Sequence, residues 1–306
     1  MKGFVIRSTG SWYDVLAENG NIYACRTRGK LRLSGFRTTN PIAVGDNILF
    51  DLEASETEGL IYTIENRDNY IIRKSIKNKN QGHIIAANID QTVLVVTVTL
   101  PRTSLGFIDR FLVSAEAFRI PQILIFNKSD LLSSKELKKQ DAYIELYQKI
   151  GVDCLVASAT QKTGIDEIRE RLNGKKSLFS GHSGVGKSTL VNCIAPDLNL
   201  KTSDVSSFSE KGVHTTTFAE MFNLGEDTFI IDTPGIKELG LINIEQDEIS
   251  DYFPEMRALI GECKFHNCQH THEPGCAIKQ AIEDGEVAES RYKSYLSMLE
   301  NDDNRR

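Results

Sequence analysis

Gly181-His182-Ser183-Gly184-Val185-Gly186-Lys187-Ser188 follows a short apolar strand at Leu178–Phe179 and opens a helical segment at Lys187–Cys193. This is the pattern G-x-x-x-x-G-K-[ST] in the strand-to-helix setting that its chemistry needs. The glycines let the backbone wrap a β-phosphate with its N–H groups turned inward, and the helix N-terminus adds a favourable dipole. Lys187 reaches the β- and γ-phosphates, and the Ser188 hydroxyl ligates Mg²⁺. The expected phosphate site runs from Gly181 through Thr189. The competing reading is a glycine-rich turn with a chance Lys-Ser, and it has to produce all eight residues in register.

Upstream, the apolar strand Gln122–Phe126 ends in Asn127-Lys128-Ser129-Asp130. An Asp can accept both N1–H and the exocyclic amine of guanine, a donor pair that adenine lacks. Asn127 bonds the other edge of the base and tethers the loop to the phosphate site, while the Lys128 stem covers one face. Ser158-Ala159, after the strand Cys154–Val156, offers a second base contact through the Ala159 amide. Downstream, Phe229-Ile230-Ile231 runs into Asp232-Thr233-Pro234-Gly235, a strand ending in D-x-x-G. Asp232 is expected across from Ser188 at Mg²⁺, and the Gly235 amide at the γ-phosphate. Thr216, within Gly212-Val213-His214-Thr215-Thr216-Thr217, completes the Mg²⁺ shell in this reading; such loops are ordered by γ-phosphate and released after hydrolysis. Ile236 stands where Ras-like enzymes carry a water-orienting Gln. Lys187 and His214 are therefore the candidate catalytic residues, His214 against the alternative of a solvated loop histidine. The order of these motifs is circularly permuted relative to an ordinary GTPase. The same sheet can still form, because the usual termini can be joined and the chain opened elsewhere.

The 306 residues carry a net charge of −6, and 40% are hydrophobic, which fits a globular protein and excludes a fibrous or mainly disordered one. No apolar run suits a membrane span, and no N-terminal apolar region suggests a signal peptide, so a cytoplasmic location is expected. Residues 1–80 carry 12 basic and 9 acidic side chains, whereas residues 241–306 carry 7 and 14. The acidic total argues against indiscriminate nucleic-acid binding, and the basic N-terminus leaves room for a local patch. There, short segments at Gly3–Arg7, Trp12–Ala17, Ile22–Arg26 and Asn47–Leu52 between turn signals predict about five strands in a small closed barrel. Arg26, Arg28, Lys30, Arg32 and Arg37 make an RNA-binding face or, equally, a solvated basic hairpin. Residues 76–87 read as a linker. Alternating strands and helices from Val93 onward predict a mostly parallel sheet covered on both faces. Ser133 with Glu136 predicts a capping box for a helix to about Ile150, and Asp284-Gly285 a break in the helical stretch Ala277–Glu300.

Cys263-x₄-Cys268-x-His270-x₅-Cys276 supplies three thiolates and an imidazole, a closed tetrahedral set for structural Zn²⁺, with His266 and His272 as rivals for the fourth place. Clustered cysteines without a secretory signal favour metal over disulfides.

With the barrel, the permuted NKSD, GHSGVGKS, GVHTTT and DTPG motifs and the C-x₄-C-x-H-x₅-C module in hand, nearly the whole chain resembles the RsgA family of small-ribosomal-subunit biogenesis GTPases. The resemblance implies an OB-fold barrel at 1–75, a circularly permuted α/β P-loop GTPase domain at 76–240 and an α-helical zinc-binding module at 241–306. It implies GTP hydrolysis stimulated by the small ribosomal subunit during late maturation, with an apolar residue after D-x-x-G and a catalytic His, here His214. The implied cofactors are one structural Zn²⁺ per chain and Mg²⁺ with GTP. The implied partners are the small subunit and its rRNA, with no membrane and a monomeric chain. The alternative is an RNA-binding placement factor in which GTP only fixes shape.

Overall fold

The computed structural model describes residues 1–27, 41–53, 57–74, 82–198, 219–232 and 244–300. The first five strands are β1 (Lys2–Ser8), β2 (Tyr13–Ala17), β3 (Ile22–Thr27), β4 (Asn47–Leu52) and β5 (Glu58–Ile64). They close into a ring in the order β1-β2-β3-β5-β4 and back to β1, with β3 and β5 parallel and every other pair antiparallel. Alternation along each strand sends one set of side chains inward. Val5, Val15, Cys25, Ile48, Phe50 and Ile61 are wholly buried there. Asp46, also wholly buried, receives a two-pronged pair from Arg67 at 2.6 and 2.7 Å and the Ala43 amide at 2.8 Å, which fixes the chain entering β4.

Residues 82–87 of the expected linker are instead strand β7 (Gly82–Ala87), paired antiparallel with β6 (Tyr70–Lys74). The apolar run Ile84-Ile85-Ala86-Ala87 explains the difference: it is buried, and a solvated linker would leave it in water.

The second part is built on a sheet of β8 (Gln91–Val96), β9 (Gln122–Phe126), β10 (Asp153–Val156), β11 (Lys176–Ser180), β12 (Glu220–Asn223) and β13 (Phe229–Asp232). The order is β10-β9-β8-β11-β13-β12; five strands are parallel and β12 is antiparallel. Successive residues of β8 face opposite layers. Leu94 and Val96 pack with α1 (Leu105–Glu116) and Tyr147 of α2 (Ser134–Lys149), while Val93 and Val95 pack with α3 (Ile165–Leu172) and α4 (Lys187–Ile194). The capping box of Ser133 and Glu136 is present at the start of α2. The barrel joins this sheet by pairing β1 with β12 at Arg7 and Glu220. Phe4 packs edge-on against Phe229 with ring centroids 5.3 Å apart.

Beyond residue 244 a 3₁₀ segment at Gln246–Tyr252 leads to short α5 (Pro254–Arg257), then α6 (Ala277–Glu283) and α7 (Glu289–Leu299). The break between α6 and α7 includes Gly285 at φ 75°, as the Asp-Gly pair predicts. This module docks on α1 through a buried charge network. Arg291 of α7 donates to Asp109 of α1 at 2.8 Å and to Glu255 at 2.7 and 3.2 Å, and lies over the Phe253 ring. Tyr147 donates to the same Asp109 at 2.9 Å, and Ser294 donates to its other oxygen. Burial pushes the Asp109 carboxyl upward, and Arg291 opposes that shift. Removing one partner from such a network strands the others away from water. Arg291→Met is expected to cost about 3–5 kcal/mol in urea unfolding, whereas Tyr147→Phe should cost only about 1 kcal/mol.

Candidate active site and metal centre

The phosphate loop leaves the end of β11 and turns into α4. Gly181, Gly184 and Gly186 have φ of 144°, 83° and 94°, values that a side chain resists. Space makes the same demand at Gly186, where an added Cβ would lie 2.6 Å from Asn127 Nδ2. Lys187 donates to the carbonyls of Gly181 at 2.6 Å and His182 at 2.9 Å, inside the loop's own curve. Burial lowers its ammonium, and the Asp232 carboxylate pulls the other way. The ammonium is thus held within the loop by two backbone carbonyls. Ser188 is buried at the first turn of α4, and Asp232 ends β13, the neighbour of β11.

The three loops that follow β9, β10 and β11 meet on one side chain. Asn127 Nδ2 donates to the Val185 carbonyl at 2.9 Å, and Asn127 Oδ1 accepts from the Ala159 amide at 3.2 Å. The tether expected of Asn127 is therefore present, with one bond to protein at each end of the amide, and the Ala159 N–H expected to face a base is used in it. Ser158 is fully buried and contacts Thr160 at 3.1 Å. Thr160 donates to Asp130 Oδ2 at 3.0 Å, leaving Oδ1 as an acceptor with no partner. The hydroxyls of Ser158 and Thr160 hold the Asp130 carboxyl below its usual range, so it stays ionised. Lys128, in the left-handed region at φ 63°, reaches the carbonyls of Gly184 at 2.6 Å and Leu100 at 2.8 Å.

Thr160 and Phe107 are additions that the sequence reading missed. Phe107 of α1 lies against the His182 ring with centroids 3.9 Å apart. A contact between residues 75 apart leaves no mark in a motif. Thr160 directly follows Ser158-Ala159, but its bond to Asp130, thirty residues away, leaves no signal in the sequence. Thr216, His214, Gly235 and Ile236 lie outside the described residues.

A family model described as RsgA GTPase matches residues 64–242, and one described as RsgA N-terminal domain matches residues 2–61. The chain belongs to the RsgA family of GTPases. The small ribosomal subunit biogenesis GTPase RsgA 2 of Bacteroides thetaiotaomicron is 53% identical over 300 residues, covering 98% of this chain and 96% of that protein. Its counterpart in Christiangramia forsetii is 51% identical over 305 residues, covering 99% and 97%. The crystal structure of YjeQ from Thermotoga maritima superposes with a TM-score of 0.79 at 34% identity, covering 100% of this chain and 99% of that one. YloQ, described as a circularly permuted GTPase, gives 0.75 at 31%, covering 100% and 96%. The chain is thus a GTP-hydrolysing enzyme on a permuted α/β scaffold with an N-terminal barrel.

Between α5 and α6, the donor atoms of Cys263, Cys268, His270 and Cys276 all lie within 4.8 Å of one another. His270 Nδ1 is 3.6 Å from Cys263 Sγ and 3.4 Å from Cys276 Sγ. A tetrahedral Zn²⁺ with bonds of about 2.0–2.3 Å needs donors roughly 3.5–3.8 Å apart, so this set fits it. His266 and His272, the rival ligands, are outside the cluster. Burial alone would raise the Glu273 carboxyl, but N–H bonds from Gln269, Thr271 and His272 outweigh it and bring it to about 2, pinning the loop that carries His270.

Of the basic residues expected at RNA, only Arg26 is described. It pairs with Glu53 at 2.8 Å and lies 5.9 Å from the centre of the exposed Trp12 ring. Arg28, Lys30, Arg32 and Arg37 fall outside the described residues. Among those described, no helix is long and apolar enough to cross a membrane.

The tether generates a prediction. Asn127→Ala leaves the Val185 carbonyl and the Ala159 amide unpaired in a buried place, at a cost of about 1–3 kcal/mol. Urea unfolding should show that loss, and hydrogen exchange should show faster opening around residues 157–160 and 182–186.

Proposed function

We propose that this GTPase binds the small ribosomal subunit, that the subunit stimulates hydrolysis, and that the cycle times a late step of subunit maturation in the cytoplasm. The observation that carries the reading is the joining of the guanine-type loop at Asp130 to the phosphate loop through Asn127, in a chain whose relatives, matched over nearly their full length, are named small ribosomal subunit biogenesis GTPases. In this reading Asp130 Oδ1 accepts from guanine, the Lys128 stem lies along the base, and Lys187 leaves the Gly181 and His182 carbonyls for the β- and γ-phosphates. Ser188 and Asp232, with Thr216, would hold Mg²⁺, which supplies charge neutralisation at the phosphates. Ser188 is buried in the helix that follows β11, and Asp232 ends β13, the strand paired with β11, which suits that role. Gly235 would sense the γ-phosphate.

Ile236 cannot orient the attacking water, so His214 or a group from the subunit has to do so. This favours slow turnover by the free protein. The barrel, the nucleotide domain and the helical module, divided near residues 75 and 240, act together in a monomer. The barrel meets rRNA through its basic segment, and Zn²⁺ held by Cys263, Cys268, His270 and Cys276 completes the helical module.

Three measurements test this. Asp130→Asn replaces an acceptor by a donor against the guanine amine and should weaken GTP binding roughly 5- to 150-fold; normal GTP binding by the variant, or equal ATP binding by the wild type, refutes the base site. GTP turnover should rise on adding purified small subunits and be absent in Lys187→Ala, while equal subunit affinity in GDP and a GTP analogue with unstimulated turnover favours the placement-factor reading. Cys268→Ser should lower zinc content and loosen residues 245–280 with GTP binding retained, as expected for a module with a small core of its own.

A further inference from the structure

The helical module has an open groove of about 620 Å³ between the 3₁₀ segment, α5 and the Cys/His loop. Met256, Leu259, Ile260 and Phe265 form its apolar lining, and Asp247 and Asp251 stand on one bank. Cys263 and Cys268 also line it, so the metal loop helps to shape the groove. Among the described residues beyond 244, two large hydrophobic side chains are exposed, Ile260 at 61% and Phe265 at 41%. Both line this groove. Scattered surface hydrophobics are ordinary, but two that converge on one concavity mark a contact surface.

The charge around it selects the partner. Residues 244–300 carry twelve acidic and five basic side chains, and one of the five, Arg291, is buried in its network with Asp109 and Glu255. Lys264, 5.6 Å from the Phe265 ring centre, is the basic side chain at the groove's edge. A phosphate backbone would meet net repulsion here, whereas a cationic polypeptide would be attracted and steered.

We propose that this groove docks a Lys/Arg-rich polypeptide segment with apolar anchors, seating aliphatic or aromatic side chains on Ile260 and Phe265 and its cations on Asp247 and Asp251. The module then contacts protein, which leaves RNA to the barrel. Only the second assay below rests on the small-subunit reading.

The first assay uses the full-length, zinc-loaded protein and a fluorescent twelve-residue peptide alternating Lys with Leu and Phe, against a counterpart with Glu for Lys. Anisotropy should show binding of the basic peptide alone. The affinity should fall on the order of tenfold in Ile260→Ala/Phe265→Ala and also in Asp247→Lys. It should not change in Glu283→Gln/Glu286→Gln, which alters the same net charge on α6 and beyond. Equal binding by the groove variants, or loss with the α6 variant, overturns the proposal. The second assay places a photo-crosslinking phenylalanine analogue at position 265 and adds purified small subunits in a GTP analogue. A crosslink to a Lys/Arg-rich segment of a subunit protein supports the groove. A crosslink to rRNA or to the chain itself, or none despite co-sedimentation, refutes it. Failure to co-sediment refutes the small-subunit reading and leaves the peptide assay to decide the groove.

Discussion

Asn127 spends both ends of its amide inside the protein, Nδ2 on the Val185 carbonyl and Oδ1 on the Ala159 amide. Those two bonds fix the distance between the loop that suits a base and the loop that suits phosphates. The two loops lie far apart in the chain, so their spacing rests on the sheet and on these bonds. β9, β8 and β11 set the loops side by side in the sheet, and the amide locks them. Chain order is then free to change, since the site depends on which strands are neighbours and which carbonyl meets which N–H. Gly186 supports the same junction, because any side chain there would meet the Asn127 amide.

A second junction runs through α1. Near its start Phe107 packs on His182 of the phosphate loop, and two residues further on Asp109 holds Arg291 of α7. One rigid element therefore touches the nucleotide loop and the metal-bearing module together. The buried charges make that docking specific: Arg291 finds full compensation only when Asp109 and Glu255 are both in place. α1 thus joins the phosphate loop to the module through Phe107 and Asp109.

The parallel sheet was legible because its strands are short β-branched runs such as Val93–Val98 and Gln122–Phe126, bounded by polar turns. The phosphate loop, the base loop and the metal cluster were legible because each needs particular residues at fixed spacing, and the structure brings each set together. The strand at residues 82–87 was hidden because four apolar residues follow a long polar stretch and look like a linker's end. The use of the Ala159 amide by Asn127, the Thr160 bond to Asp130 and the Arg291 network were not legible. Each joins residues far apart in sequence or depends on side-chain direction, which spacing alone does not carry.

The pairing of β1 with β12 has a consequence for how the chain tolerates loss of its parts. β12 is the last strand on its side of the nucleotide domain's sheet, and an unpaired strand edge is a template for addition of another chain. β1 meets that edge at Arg7 and Glu220, while Phe4 and Phe229 close the seam beneath it. A barrel attached in this way also shields the sheet from self-association. A chain stripped of its first 64 residues would lose the β1 partner at Glu220 and the Phe4 ring that packs on Phe229. The two parts therefore share one seam of backbone pairing and aromatic packing, and neither surface is finished without the other.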